Sequence, residues 1–358
     1  MCIRDRLRHG PLELLLTVSE EQGLDGAKAL DASLVTGRTL VNLDGTSDDA
    51  LTVGCAGSDH TVLRLPLPAL PVATDHALLR IDLSGARGGH SGGDIVLGRV
   101  NAITALGRVL AAAYPSAPFG LGSLAGGVSR NAIPRDAHAV VAVPTAEIDS
   151  FRTAAEAELG AIVLQYRGVD DALALAFRPA ELDGVADRGS TRKALDLVAA
   201  VPSGVVAMAP SVPGVVETST CLTVAGAESG VLTLASMARS SNAAALDGLR
   251  ASMDSLARLG GAEVEVRRSY PPWEPRLDSP LLGIASATYG RLFDVEPSLA
   301  VVHGGLECAV LGQKLPGVEM VSIGPEIVGL HAPGEKVRVS STQRFYRLLG
   351  ALLDVLSS

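Results

Sequence analysis

Two adjacent carboxylates, Glu20 and Glu21, stand in Ser19-Glu20-Glu21-Gln22-Gly23, directly after the apolar run Leu12–Val18. Neighbouring side chains point different ways, so one can bind a metal while the other faces water or a substrate. Taken alone, the pair is also an ordinary solvated acidic turn. Asp44 closes a second apolar run, Thr39–Leu43. Two consecutive strand ends that each carry a carboxylate suit a metal cluster, since open α/β sheets place their sites at strand ends. Asp44-Gly45 is equally common turn chemistry. His90 lies in Arg87-Gly88-Gly89-His90-Ser91-Gly92-Gly93-Asp94, where the glycines let the backbone approach a ligand closely. No Lys-Ser/Thr pair follows, as a phosphate loop would need. No Gly-x-Ser-x-Gly elbow surrounds Ser91, so it and His90 are not a hydrolase triad. Asn131 and Arg135, after Gly126-Gly127, can hold a carbonyl and a carboxylate or simply shape a turn. His303-Gly304-Gly305-Leu306-Glu307-Cys308 and Gly329-Leu330-His331-Ala332-Pro333-Gly334-Glu335 each set a histidine in a Gly/Pro-rich loop. A lone loop histidine is usually a surface residue; two of them, with Glu20, Glu21 and Asp44, point to a metal site.

Positioning these residues requires strands that alternate with helices. Leu12–Val18 reads as a buried strand of a mostly parallel sheet, Gly26–Leu30 as a short helix and Thr39–Leu43 as a second buried strand. From Thr61 the pattern changes to the period of two expected of half-buried antiparallel strands, in Thr61–Leu67 and Ala77–Leu83. Asn101–Tyr114 and Glu147–Leu159 read as helices, Ala137–Val143, Val231–Met237 and Glu263–Arg267 as strands, and Leu246–Leu259 as an amphipathic helix. Pro271, Pro272 and Pro275 stiffen a linker. Beyond it come a helix at Leu281–Phe293, a strand at Met320–Ile323 and a helix at Ser340–Leu356 capped by Ser340 or Ser341. No internal repeat is visible.

The whole chain has 358 residues, enough for about two domains. Its 47% hydrophobic content excludes a disordered chain. A net charge of -9 and 3% aromatics argue against a nucleic-acid partner, which needs basic surface and stacking platforms. No apolar run is long enough for a membrane span. Cys2, Cys55, Cys221 and Cys308 form no CxxC pair, and the N-terminus has no signal-peptide core, so a cytoplasmic protein with free thiols is expected.

Seven stretches, in order, resemble the two-zinc aminoacyl-histidine dipeptidases of the zinc exopeptidase clan. They are His9–Glu13 through Gly26-Ala27, Val41–Asp44, Arg87–Asp94, Asn131–Arg135, Val212–Thr220, His303–Cys308 and His331–Glu335. The resemblance implies an α/β, zinc exopeptidase-like catalytic domain with an inserted α+β lid that mediates dimerisation. It divides the chain into residues 7–60 and 275–358 (catalytic), 61–268 (lid) and 269–274 (linker). It also implies roles. Glu20 is the general base, and His90 stabilises the oxyanion in the partner subunit's site. Glu21 and His331 bind one zinc and Asp44 the other. Asn131, Arg239 and Glu307 contact substrate, with Arg239 on its carboxylate. The family's His-x-Asp motif and bridging Asp, upstream of the Glu-Glu pair, have no counterpart here, and residues 1–6 read as foreign sequence. The expectation is therefore metal-dependent hydrolysis of dipeptides, Xaa-His or broader, by a homodimer. This chain is expected to be an inactive fragment with one weak zinc or none. Deacylation of N-acyl amino acids, or a non-catalytic dimerisation module, are the alternatives.

Overall fold

The computed structural model describes residues 7–228, 230–330 and 333–357. The first elements are α1 (Asp25–Ala29), β1 (Thr39–Asn42) and β2 (Ala50–Cys55). Leu12–Val18, expected as a buried strand, is not one: Leu14, Leu16 and Val18 are 74%, 91% and 71% exposed. An apolar run becomes a strand only where a neighbour completes its ladder, and among the described residues no strand pairs with it.

At Ala56 the chain leaves the small sheet, and β3 (Gly57–Pro66) enters a large antiparallel one. The crossing comes before the residue-60 boundary read from the sequence. There follow β4 (His76–Ser84), α2 (Ala102–Ala113), β5 (Gly120–Gly126), β6 (Ala137–Pro144), α3 (Ile148–Gln165), β7 (Ala174–Pro179), α4 (Arg188–Ala200), β8 (Gly204–Met208), β9 (Val216–Glu228), β10 (Val231–Ser240), α5 (Ala243–Gly260) and β11 (Glu263–Tyr270). The order in space is β7-β4-β6-β5-β9-β10-β3-β11, with β8 also on β9.

That order contains a repeat the sequence conceals. β4-α2-β5-β6-α3-β7 is a βαββαβ unit whose fourth, first, third and second strands lie side by side. β3, α4, β9, β10, α5 and β11 make a second unit with the same order, and the first unit is inserted after its first strand. The two join through their second strands, with Gly126 opposite Ala225 and Ala125 opposite Gly226. Their first helices, α2 and α4, also pack together. This is the self-complementary contact of a two-fold dimer, made here within one chain. One core fills the space between sheet and helices, from Leu63, Ile81 and Leu83 to Ile103, Leu106, Phe119, Phe151 and Leu234.

The chain returns through Pro271–Pro275. Trp273 is buried, and its N–H and C=O exchange hydrogen bonds with Cys55 at 3.0 and 2.9 Å. The linker is thus a strap on the end of β2 rather than a free spacer. Then come α6 (Pro280–Phe293), β12 (Ser298–Val302), α7 (Glu307–Lys314), β13 (Glu319–Ser322) and α8 (Val339–Val355). The small sheet has the order β1-β13-β2-β12 and is mixed: β1–β13 and β2–β12 are parallel, β13–β2 antiparallel. α6 and α8 cover one core, around Leu51, Val53, Tyr289, Val321 and Leu352. Arg338, not Ser340 or Ser341, stands at the start of α8. The Ser341 hydroxyl instead donates to Arg338 O and accepts from Glu326 N–H, each at 2.8 Å. Among the described residues no helix is long and apolar enough to cross a membrane.

Where the chain enters and leaves the large sheet, Asp59 on β3 is 1% exposed. It accepts from Arg250 of α5 at 2.6 Å and from Arg268 of β11 at 3.3 Å. Both arginines are about a third exposed and also reach Asp247, so the cost of losing Asp59 is that of its two charge-assisted hydrogen bonds rather than of a stranded charge. Asp59→Ala is expected to lower unfolding free energy by about 2 kcal/mol in urea titrations. A loss below about 1 kcal/mol, the value of a surface pair, would contradict this reading.

Candidate active site between the two sheets

Glu20 and Glu21 lie in a tight turn between Ser19 and Leu24, which hold left-handed φ of 55° and 63°. Glu20 C=O accepts from the N–H groups of Gly23 and Leu24 at 3.1 and 2.9 Å. Non-glycine residues pay about 1 kcal/mol or more for such φ values, which concentrate at functional sites. The turn is tied down just upstream, where the Thr17 hydroxyl donates to Glu307 Oε2 at 2.8 Å. Glu307 is the first residue of α7.

Asp44 follows β1. Its N–H donates to Asn42 Oδ1 at 3.0 Å, and the Ser322 hydroxyl donates to the same oxygen at 2.6 Å. Beyond it the Gly45 and Gly324 backbones touch: a Cβ on Gly324 would lie 1.7 Å from Gly45 O. Cys55, Cys221 and Cys308 are buried free thiols. Burial pushes Cys308 well up, and Cys55, Asp44 and Glu307 add to it, so both carboxylates lie near this thiol.

On the large sheet, His90 and Asn131 come together. Gly89 and His90 pair with Ile133 and Ala132, and Ser91 N–H donates to Asn131 C=O at 2.7 Å. His90 Nδ1 accepts from the N–H groups of Gly93 and Gly92 at 3.0 and 3.3 Å. A neutral ring that accepts at Nδ1 carries its proton on Nε2, so the donor of the His90 ring is Nε2–H. Arg239 on β10 is 5% exposed; its Nη1 donates to the Tyr270 hydroxyl at 3.2 Å.

The two halves meet at Gly92. A Cβ there would lie 2.5 Å from His303 O, 3.0 Å from His90 Cε1 and 3.2 Å from Arg239 Nε. His303 follows β12, and its Nε2 is 2.7 Å from the Ser219 hydroxyl on β9. Ser91 Oγ, Arg239 Nε and Glu307 Oε1 are all buried without a hydrogen-bond partner, while the His303 ring also meets the Val216 backbone. Orphans of this kind are rare in native proteins, and these gather along one seam between the sheets.

The sequence-predicted residues thus fall in two neighbouring groups. His90, Asn131 and Arg239 share the large-sheet side of the seam. Glu20, Glu21, Asp44 and Glu307 belong to the small-sheet side. His331 lies outside the described residues. Among the described residues no three His, Cys, Asp or Glu side chains converge on a point where an ion would sit. Glu21 and Asp44 alone do not make up a metal centre. Sequence reasoning missed His303 and Ser219 as partners, although His303 stood within a quoted motif. The His90 loop meets His303 and Arg239 of the same chain at Gly92.

Residues 2–355 match Peptidase family M20/M25/M40. The chain belongs to that family. Within M20/M25/M40 it is 34% identical over 346 residues to the cytosol non-specific dipeptidase of Escherichia coli strain K12, covering 96% of this chain and 71% of that protein. Among solved structures, the aminoacylhistidine dipeptidase from Vibrio alginolyticus superposes with a TM-score of 0.91 at 31% identity. That match covers 98% of this chain and 71% of the other. The M20/M25/M40 membership makes the chain a peptidase.

Burial, then Arg239 and His90, pushes the His303 ring down from 6.5 to about 4. A folded pKa below the unfolded value means that the neutral ring is the stabilised form. Its contribution is full above about pH 6.5 and is lost as pH falls from there toward 4. The stability difference between wild type and His303→Gln is expected to be constant above about pH 7 and to shrink as pH falls. Urea midpoints across this range measure it; a pH-independent difference contradicts the assignment.

Proposed function

We propose that this peptidase hydrolyses dipeptides, Xaa-His among a broad set, as a zinc-dependent homodimer in the cytoplasm. The observation that carries the reading is that His90 and Arg239 both close on Gly92. A dipeptide has its carboxylate one residue from the scissile carbonyl, so the groups that recognise the two must be neighbours. Arg239 is buried, keeps an unpartnered Nε–H and, among the described residues, pairs with no carboxylate. It suits the substrate carboxylate. His90 Nε2–H, fixed by two backbone donors on the far side of the ring, donates to the carbonyl oxygen as negative charge develops there. Glu20 takes a proton from the attacking water and returns it to the leaving amine. Asn131, beside His90, and Glu307 complete the substrate contacts.

Zinc belongs to this reading on the family's account. Glu21, Asp44 and His331 are the ligands the chain offers, and the metal would supply a more acidic water. The names of the two relatives support dipeptides as substrates, and the E. coli name supports the cytoplasm. The homodimer belongs to the proposal, with His90 reaching into the partner subunit's site as the resemblance implies.

Hydrolysis of Ala-His and of N-acetylalanine, assayed side by side in added zinc, tests the function. Ala-His is expected to be cleaved, in place of the inactive fragment that the sequence led one to expect, and Glu20→Gln to lower kcat by about 100-fold or more. Preferential cleavage of N-acetylalanine would make the protein a deacylase. Cleavage of neither would remove the catalytic reading.

A further inference from the structure

We propose that the Ser219–His303 hydrogen bond is a positioning contact that holds the loop leading to Glu307 against the large sheet. It thereby fixes Arg239 and His90 relative to that loop. The inference rests on the dipeptidase reading for what is positioned. The contact itself rests on geometry alone.

Ser219 is 1% exposed on β9 and stands directly opposite Arg239 on β10. Residues opposite one another in an antiparallel pair rise from the same face, so this hydroxyl and the guanidinium are neighbours. His303 leaves the end of β12, where Val302 C=O accepts from Ala56 N–H at 2.9 Å. The loop therefore starts at the point where the chain crosses between sheets, and its first side chain reaches back to the large one. Three contacts then hold it. The ring meets Ser219. The His303 carbonyl lies against Gly92, two residues beyond His90. Gly305 lies on the Tyr270 ring, with a Cβ position 2.7 Å from it, and the Tyr270 hydroxyl accepts from Arg239. Of the three, only the Ser219–His303 bond joins two side chains across the boundary, so it can be cut without moving backbone. Burial keeps the ring neutral, so it can sit beside Arg239 without charge repulsion. His303 touches none of the reacting atoms in the proposed reaction; it acts through the loop and through Arg239.

The test uses the full chain in a Glu20→Gln background, which blocks turnover, with Ala-His binding followed by calorimetry. Ser219→Ala and His303→Ala are each expected to raise Kd about tenfold, the upper range for one buried hydrogen bond. The double variant should be no worse than either single one. Ser219→Thr, which keeps the hydroxyl, should bind as the parent does. A merely structural contact would lower stability yet leave the Kd of the folded protein unchanged, and that result overturns the proposal. So do effects of the two singles that multiply in the double. If His303→Ala does not fold, Ser219→Ala, which loses one oxygen, decides. Should the parent fail to bind Ala-His, it is the dipeptidase reading that falls. Amide exchange then tests the contact: Ser219→Ala should speed exchange at residues 92–93 and 304–307 and leave residues 280–293 unchanged. Unchanged exchange at the first two segments overturns it.

Discussion

A side chain cannot be added at Gly92, and the site depends on that. The His303 carbonyl, the His90 ring and Arg239 Nε all lie within 3.2 Å of where its Cβ would stand. Close approach of backbones is what glycine permits and every other residue forbids. Because the position is bare, a loop of the small sheet presses on a loop of the large one, and groups far apart in the chain share a seam. The crossover at Ala56 and the strap through Trp273 fix the two sheets at one boundary, and the Asp59 ion pairs tie β3, α5 and β11 of the large sheet beside it. A seam held at its root in this way positions side chains more closely than separate mobile loops would.

The electrostatics of the seam follow from burial. Arg239 has surrendered most of its water and gained a tyrosine hydroxyl. Such a cation is costly until an anion joins it, which makes a carboxylate-bearing substrate the natural partner. The neighbouring His303 avoids repelling it by staying neutral. His90, with Nδ1 occupied by backbone N–H groups, has one tautomer and therefore one kind of hydrogen bond to give. Arg239 anchors; His90 responds to charge that appears only during reaction, and interactions of that second kind raise turnover.

Much of this was legible in the sequence. Period-two alternation found β3 and β4, and helical spacing found α2, α5 and α6, because each signal arises within one element. The Glu-Glu turn, the glycine-flanked His90 and the His303–Cys308 motif were legible as local chemistry. What failed was non-local. Leu12–Val18 has the composition of a buried strand, but a strand also needs a neighbour, and composition does not report one. The lid's duplication is hidden because the first unit is inserted after β3, so the second unit's strands are separated by most of the lid. Ser219 and His303 lie 84 positions apart, and nothing around either announces the other. The resemblance places His90 across a dimer; within the chain its loop meets His303 and Arg239 at Gly92.

Subunit mixing tests most directly the proposal that His90 completes the partner subunit's site. His90→Ala and Glu20→Gln proteins, each inactive toward Ala-His, would be mixed under conditions where exchange is verified by differently tagged chains. A site that draws His90 from one chain and Glu20 from the other predicts recovery toward about a quarter of wild-type activity, since about half the dimers would be mixed and each would hold one intact site. No recovered hydrolysis would mean that His90 serves its own chain, and would contradict the account.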